Sequence, residues 1–188
     1  MIVLGCDPGK TTGLAVLDTD ERRVLWCGET TDVRASVGDA SGCIVGRRDV
    51  MPDAYAYECV QSYGVGLASS LVDTAEIGGW LRLQLGAVPI SRPEVIRTLG
   101  LSGRGISKSA VWAELARMLG SDTPGKLCRY RNRKSHDAGP TDEPCPLCKG
   151  SGYERQSGPL SMFRGRVHAK DALAVAVAHA IKIGVWDG

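Results

Sequence analysis

The 188 residues contain no apolar run of membrane-spanning length, which excludes a helical membrane span. The first residues, Met1-Ile2-Val3-Leu4-Gly5-Cys6, lack a basic leader region and meet Asp7 too early for a signal peptide. The expected compartment is therefore the cytoplasm. A strong net charge is also missing. At a formal +2, affinity for nucleic acid has to come from local basic patches rather than a global field. No internal repeat is visible. An even cysteine count is absent too: there are seven. Cys6, Cys27 and Cys59 lie in apolar, strand-like settings and read as small buried hydrophobes, and no disulfides are expected among these and Cys43. What remains is 43% hydrophobic and 23% charged, ordinary for a globular chain. The length suits one domain over residues 1–188 with a small insertion.

The pattern of elements is α/β. Residues 1–6, 13–18 and 23–29 read as three strands, with Thr19-Asp20-Glu21-Arg22 as a polar turn, so an antiparallel meander is expected. Residues 32–52 are polar and read as a short helix or loop. Ala54 to Cys59 reads as a fourth strand. Leu67, Leu71, Ile77, Leu81 and Leu85 recur at near-helical spacing, predicting a helix over 66–85 interrupted at Gly78-Gly79. Its apolar stripe fits a dimer surface or an internal core. Val88 to Ser91 reads as a fifth strand. Ser107 to Leu119 is an amphipathic helix with Ser107 as N-cap and Gly120 as stop. Residues 121–166 turn rich in Gly, Pro and Arg and form the insertion, and Ala169 to Ile183 reads as a mostly buried last helix. The result is a mixed sheet with helices.

Three acids stand where acids are costly. Asp7 ends the first strand, Glu58 lies near the end of the fourth, and Asp171 opens the last helix three residues after His168. Positions i and i+3 share a helix face. If the first and fourth strands are neighbours, these groups converge at one edge of the sheet. Hard oxygen ligands of this kind suit Mg²⁺ or Mn²⁺. Taken singly, Asp-Pro-Gly is a common turn, a strand Glu can face solvent, and an Asp at a helix start can serve the dipole. The combination carries the weight.

Four stretches together resemble a RuvC-type Holliday-junction resolvase, of the ribonuclease-H-like superfamily. They are Leu4-Gly5-Cys6-Asp7-Pro8-Gly9-Lys10-Thr11-Thr12-Gly13, then Tyr57-Glu58-Cys59-Val60, then Gly103-Arg104-Gly105-Ile106-Ser107-Lys108, and His168-Ala169-Lys170-Asp171-Ala172-Leu173-Ala174-Val175-Ala176. The resemblance implies a mixed five-stranded sheet with helices on both faces and a Cys-containing insertion before the last helix. It implies that Asp7, Glu58, His168 and Asp171 bind two Mg²⁺ or Mn²⁺ ions and hydrolyse phosphodiesters to 5′-phosphates. A homodimer nicking opposed strands of branched, four-way DNA follows from it, in a bacterial or phage-infected host cell. Arg97, Arg104 and Lys108 fall at its DNA-contacting positions, where solvated surface charge is the plainer reading. The family often has an aromatic residue three positions after the strand-four acid; here Gln61 stands there, and Tyr63 is the nearest substitute for stacking on bases.

The insertion carries its own pattern. Cys145-Pro146-Leu147-Cys148 is half of a zinc knuckle, and Cys128 and His136 would complete a Cys₃His structural Zn²⁺ site. Reduced thiols on a loop are the alternative. Lys126 to Lys134 holds five basic groups around Tyr130, including Arg129, Arg131 and Arg133, which suits DNA contact or a solvated loop.

Other functions compete. An actin-like ATPase also opens with an Asp-Gly-Thr loop, but its second phosphate loop and duplicated domain are missing. A non-catalytic DNA-binding module would tend to lose one of the acids. A nuclease of the same superfamily acting on other branched DNA or on RNA is the nearest rival.

Overall fold

The structure is a computed structural model that describes residues 1–37, 51–60, 69–102, 105–120, 159–163 and 165–186. Strands β1 (Ile2–Asp7), β2 (Thr12–Asp18) and β3 (Arg23–Thr30) form the expected antiparallel meander. β4 (Ala54–Cys59) then pairs parallel to β1, and β5 (Val88–Ser91) parallel to β4. The sheet order is β3-β2-β1-β4-β5. A helical turn at 33–37, α1 (Ser69–Leu85), α2 (Arg92–Thr98), α3 (Lys108–Met118), a 3₁₀ turn (Pro159–Phe163) and α4 (Val167–Lys182) complete the described elements. No described helix is long and apolar enough to cross a membrane.

The period of two along each strand sorts the side chains between two cores. Val3, Ala15, Leu17, Ala56 and Ile90 face α2, α3 and α4, where Trp112 and Phe163 meet edge to face at 5.3 Å. Leu4, Cys6, Leu14, Val16 and Tyr57 face the turn at 33–37 and α1. Helices therefore cover both faces of the mixed sheet. Cys6, Cys27 and Cys59 are free thiols, and the first two are buried as expected.

Two expectations need correction, and one element was not expected. α1 runs unbroken through Gly78-Gly79. Gly78 is there for clearance: a Cβ at that position would stand 2.7 Å from Cε2 of the Tyr57 ring. Asp171 does not open the last helix, which starts at Val167 and places it in the second turn. α2 was unforeseen, although Ser91 as N-cap, Pro93 in the first turn and Glu94 reaching back to the Ser91 backbone N–H are ordinary helix-start chemistry. The apolar stripe of α1 serves the internal core, with Leu81 buried and Ile77, Trp80 and Leu85 packed beside it. Ser107 caps α3 by accepting from the Ala110 N–H at 3.2 Å, and Gly120 takes a positive φ just beyond its end.

Candidate active site

Parallel pairing of β1 with β4 is what brings the first two acids together. The last paired residues are Cys6 and Tyr57, and one step beyond them stand Asp7 and Glu58. Both continue the alternation that turns Val3 and Ala56 toward α4. The acids thus emerge at the C-terminal ends of two neighbouring strands, on the α4 side.

α4 reaches them because its backbone rests on the sheet. A Cβ added to Gly5 would stand 2.1 Å from the Ala172 carbonyl oxygen, and one added to Gly13 would stand 2.1 Å from the His168 carbonyl. No other residue type permits that approach. The small Ala169, Ala172 and Ala176 continue the seat, and the helix is buried from Asp171 to Ala180. Its large apolar side chains, Leu173, Val175 and Val177, each contribute about 1.5–3 kcal/mol of burial. The helix has no side-chain N-cap of its own. Instead Glu29 of β3 accepts hydrogen bonds from the backbone N–H groups of His168 at 2.7 Å and Ala169 at 3.3 Å. A carboxylate there also complements the helix dipole. Arg166, just before the helix, donates to the Cys27 carbonyl at 2.7 Å.

Seated this way, α4 presents His168 and Asp171 to the strand ends. His168 Nδ1 and Asp7 Oδ2 share a hydrogen bond at 2.9 Å. Asp171 is buried and accepts from two cations. Arg92 Nη1 stands 2.9 Å from its Oδ1, and Lys108 Nζ stands 2.5 Å from its Oδ2. The same Arg92 nitrogen lies 3.4 Å from Glu58 Oε2. Burial raises the Asp7 carboxyl above its ordinary range, opposed by the His168 hydrogen bond and reinforced by the charge of Asp171. Burial likewise pushes Glu58 up to about 7; Arg92 opposes this, and Asp7 and Asp171 add to it.

Three carboxylates and an imidazole are a donor set for hard divalent cations. Among the described residues no three such groups enclose a single ion as they stand. Arg92 and Lys108 lie on the carboxylate oxygens instead. Beside Asp171, a cleft of about 230 Å³ opens between α3 and α4, lined by Lys108, Trp112, Val167 and Lys170.

Similarity to solved structures follows the same geometry. Over 98% of this chain and 97% of the other, the fold matches Thermus thermophilus RuvC in complex with a Holliday-junction substrate, at 18% identity and a TM-score of 0.54. A second Thermus thermophilus RuvC structure matches over 98% of both chains, at 19% identity and a TM-score of 0.55. This chain has the ribonuclease-H-like fold of RuvC. No family model and no curated protein matches it.

Within the RuvC-like fold, the expected Asp7, Glu58, His168 and Asp171 come together. Lys108 joins them as the first residue of α3. Arg97 does not: it sits exposed in the last turn of α2, at the opposite end of that helix from Arg92. Tyr63, Arg104, Cys128, Arg129, Arg131, Arg133, His136, Cys145 and Cys148 lie outside the described residues, as do Cys43 and Gln61. Two residues of the site were missed in the sequence, Arg92 and Glu29. The helix-start signal at Ser91 to Glu94 marks the first. Nothing local marks the second.

Proposed function

We propose that this chain is a divalent-metal-dependent endonuclease that cuts branched DNA, four-way junctions first, leaving 5′-phosphates. The observation that carries this reading is the meeting of Asp7, Glu58, His168 and Asp171 at the ends of β1 and β4. Those four residues would hold two Mg²⁺ or Mn²⁺ ions. Such ions would supply charge stabilisation for phosphoryl displacement. His168 fixes the Asp7 carboxylate through Nδ1. Lys108, at the mouth of the site and 65% exposed, holds the scissile phosphate by its charge. Glu58, pushed up to about 7 by burial, would give up its proton when a cation binds, so activity is expected to rise with pH toward neutrality.

The chain acts as a homodimer, so that two sites nick opposed strands of one junction. Residues 1–188 form one nuclease domain, and the insertion at about 121–166 adds DNA contacts through Arg129, Arg131 and Arg133. Its Cys128, His136, Cys145 and Cys148 bind a structural Zn²⁺. Gln61, where the resolvase family often places an aromatic residue, favours a second reading. In that reading the same chemistry serves flaps, forks or RNA.

The test is cleavage of labelled four-way junction, flap, duplex and single-stranded DNA and of RNA, with Mg²⁺, Mn²⁺ or EDTA. Paired, metal-dependent junction nicks that fall on the order of a thousandfold in Asp7→Asn are expected. Preference for flaps, forks or RNA moves the substrate to the second reading. Folded protein that cuts nothing sinks the enzyme.

A further inference from the structure

Arg92 is a strange residue to find at this point. It is the first residue of α2, and Lys108 is the first residue of α3. A cation at a helix N-terminus meets the positive end of the dipole and is disfavoured there. Both side chains turn to acids in compensation. Arg92, 25% exposed, bridges Glu58 and Asp171 with one nitrogen, at 3.4 and 2.9 Å. Lys108 takes the other oxygen of Asp171. The two cations differ in reach. Lys108 is largely exposed and touches one acid, whereas Arg92 is mostly enclosed and links two acids from separate elements, β4 and α4.

The guanidinium therefore stands on oxygens of two residues that the proposed function assigns as metal ligands. A divalent ion on those carboxylates would meet the guanidinium's positive charge at close range, so the two compete. The geometry points to Arg92 as an internal counter-ion of the metal-free site: it neutralises Glu58 and Asp171 until a divalent cation displaces it. This rests on the metal-binding reading above and adds a regulatory element to it. The ion has to out-compete a tethered charge, so metal affinity is set lower than the carboxylates alone would give, and the metal-free protein is spared the repulsion of facing acids. Arg92 is here a positioning residue, acting through the carboxylates it holds.

The test reads binding and stability, with no nucleic acid present. Mn²⁺ is titrated calorimetrically into the wild-type chain, Arg92→Gln and Arg92→Lys, and each protein is melted in EDTA and in saturating Mn²⁺. Arg92→Gln removes the charge and keeps much of the bulk. It is expected to bind Mn²⁺ about fivefold more tightly and to melt about 3 °C lower in EDTA, with a larger rise on adding Mn²⁺. Arg92→Lys keeps the charge but not the planar fork, and its affinity is expected between the other two. If Arg92→Gln fails to fold, Arg92→Lys decides alone by whether it binds Mn²⁺ more tightly than the wild type. Equal or weaker Mn²⁺ binding by the variants overturns the counter-ion and leaves the metal centre intact. A wild-type chain that binds no Mn²⁺ is a different result, because it removes the metal centre itself and the counter-ion with it.

Discussion

Helices α1 and α4 cover opposite faces of the same sheet, and they do so by different means. α4 lies with its backbone against Gly5 and Gly13 and is buried on every side from Asp171 to Ala180. α1 packs through side chains: Leu81 is buried, while Leu83 on the same helix is 83% exposed. Each has a glycine contact, but of a different kind. At Gly5 and Gly13 the obstacle to a Cβ is backbone, whereas at Gly78 it is the Tyr57 ring, which can shift. A backbone seat fixes a helix to a fraction of an ångström, because nothing flexible lies in the contact. The chain uses that seat where two side chains have to meet groups on other elements, and looser side-chain packing where only apolar area has to be covered.

The largest effect expected from breaking this contrast is at Gly13. Gly13→Ala should lift the start of α4, lowering the melting temperature by about 10 °C and junction cleavage by roughly a hundredfold. Wild-type cleavage by that variant would mean that the seat does not set the site. Next comes pH. Burial holds Glu58 up at about 7 in the folded chain, against an ordinary 4.5. The folded state thus binds the extra proton between those values, and the metal-free protein loses stability as pH rises through that window. Melting in EDTA should fall by about 5 °C from pH 5 to pH 7.5, and Glu58→Gln should flatten the slope. An unchanged slope in Glu58→Gln would place the titrating group elsewhere.

Glu29→Ala removes the acceptor for two N–H groups of α4 and should cost about 1 kcal/mol in urea denaturation, with a severalfold loss of cleavage. A loss of stability with no change in cleavage would separate the capping of α4 from the placing of His168. The smallest effect is on α1. A Cβ at Gly79 has nothing within 4 Å, so Gly79→Ala should stabilise the chain by about 0.5–1 kcal/mol and leave cleavage alone. Destabilisation there would show that α1 is less loosely packed than its exposure suggests.

The strands were legible in the sequence because alternation and turn residues are local signals. Asp7 and Glu58 were legible because an acid at the end of an apolar strand is a local anomaly. Asp171 and His168 were found by their i, i+3 spacing, although the helix start was misplaced: Val167 is half exposed and does not continue the Ala-rich pattern. Arg92 was hidden because its meaning depends on which oxygens it meets, and those belong to residues 34 and 79 positions away. Glu29 was hidden for the same reason, since it meets the backbone of His168, 139 positions away. Gly78 misled because a glycine pair reads as a helix break until the neighbouring ring is known.

The pairing of Asp7 with His168 spans 161 positions of sequence. Its partners are made at opposite ends of synthesis. Until residues 167–182 have emerged from the ribosome, the nascent chain holds Asp7 and Glu58 without His168 and Asp171. Native-contact distance on this scale slows folding. Under the proposed function, that delay also means that activity would arrive only when α4 is in place.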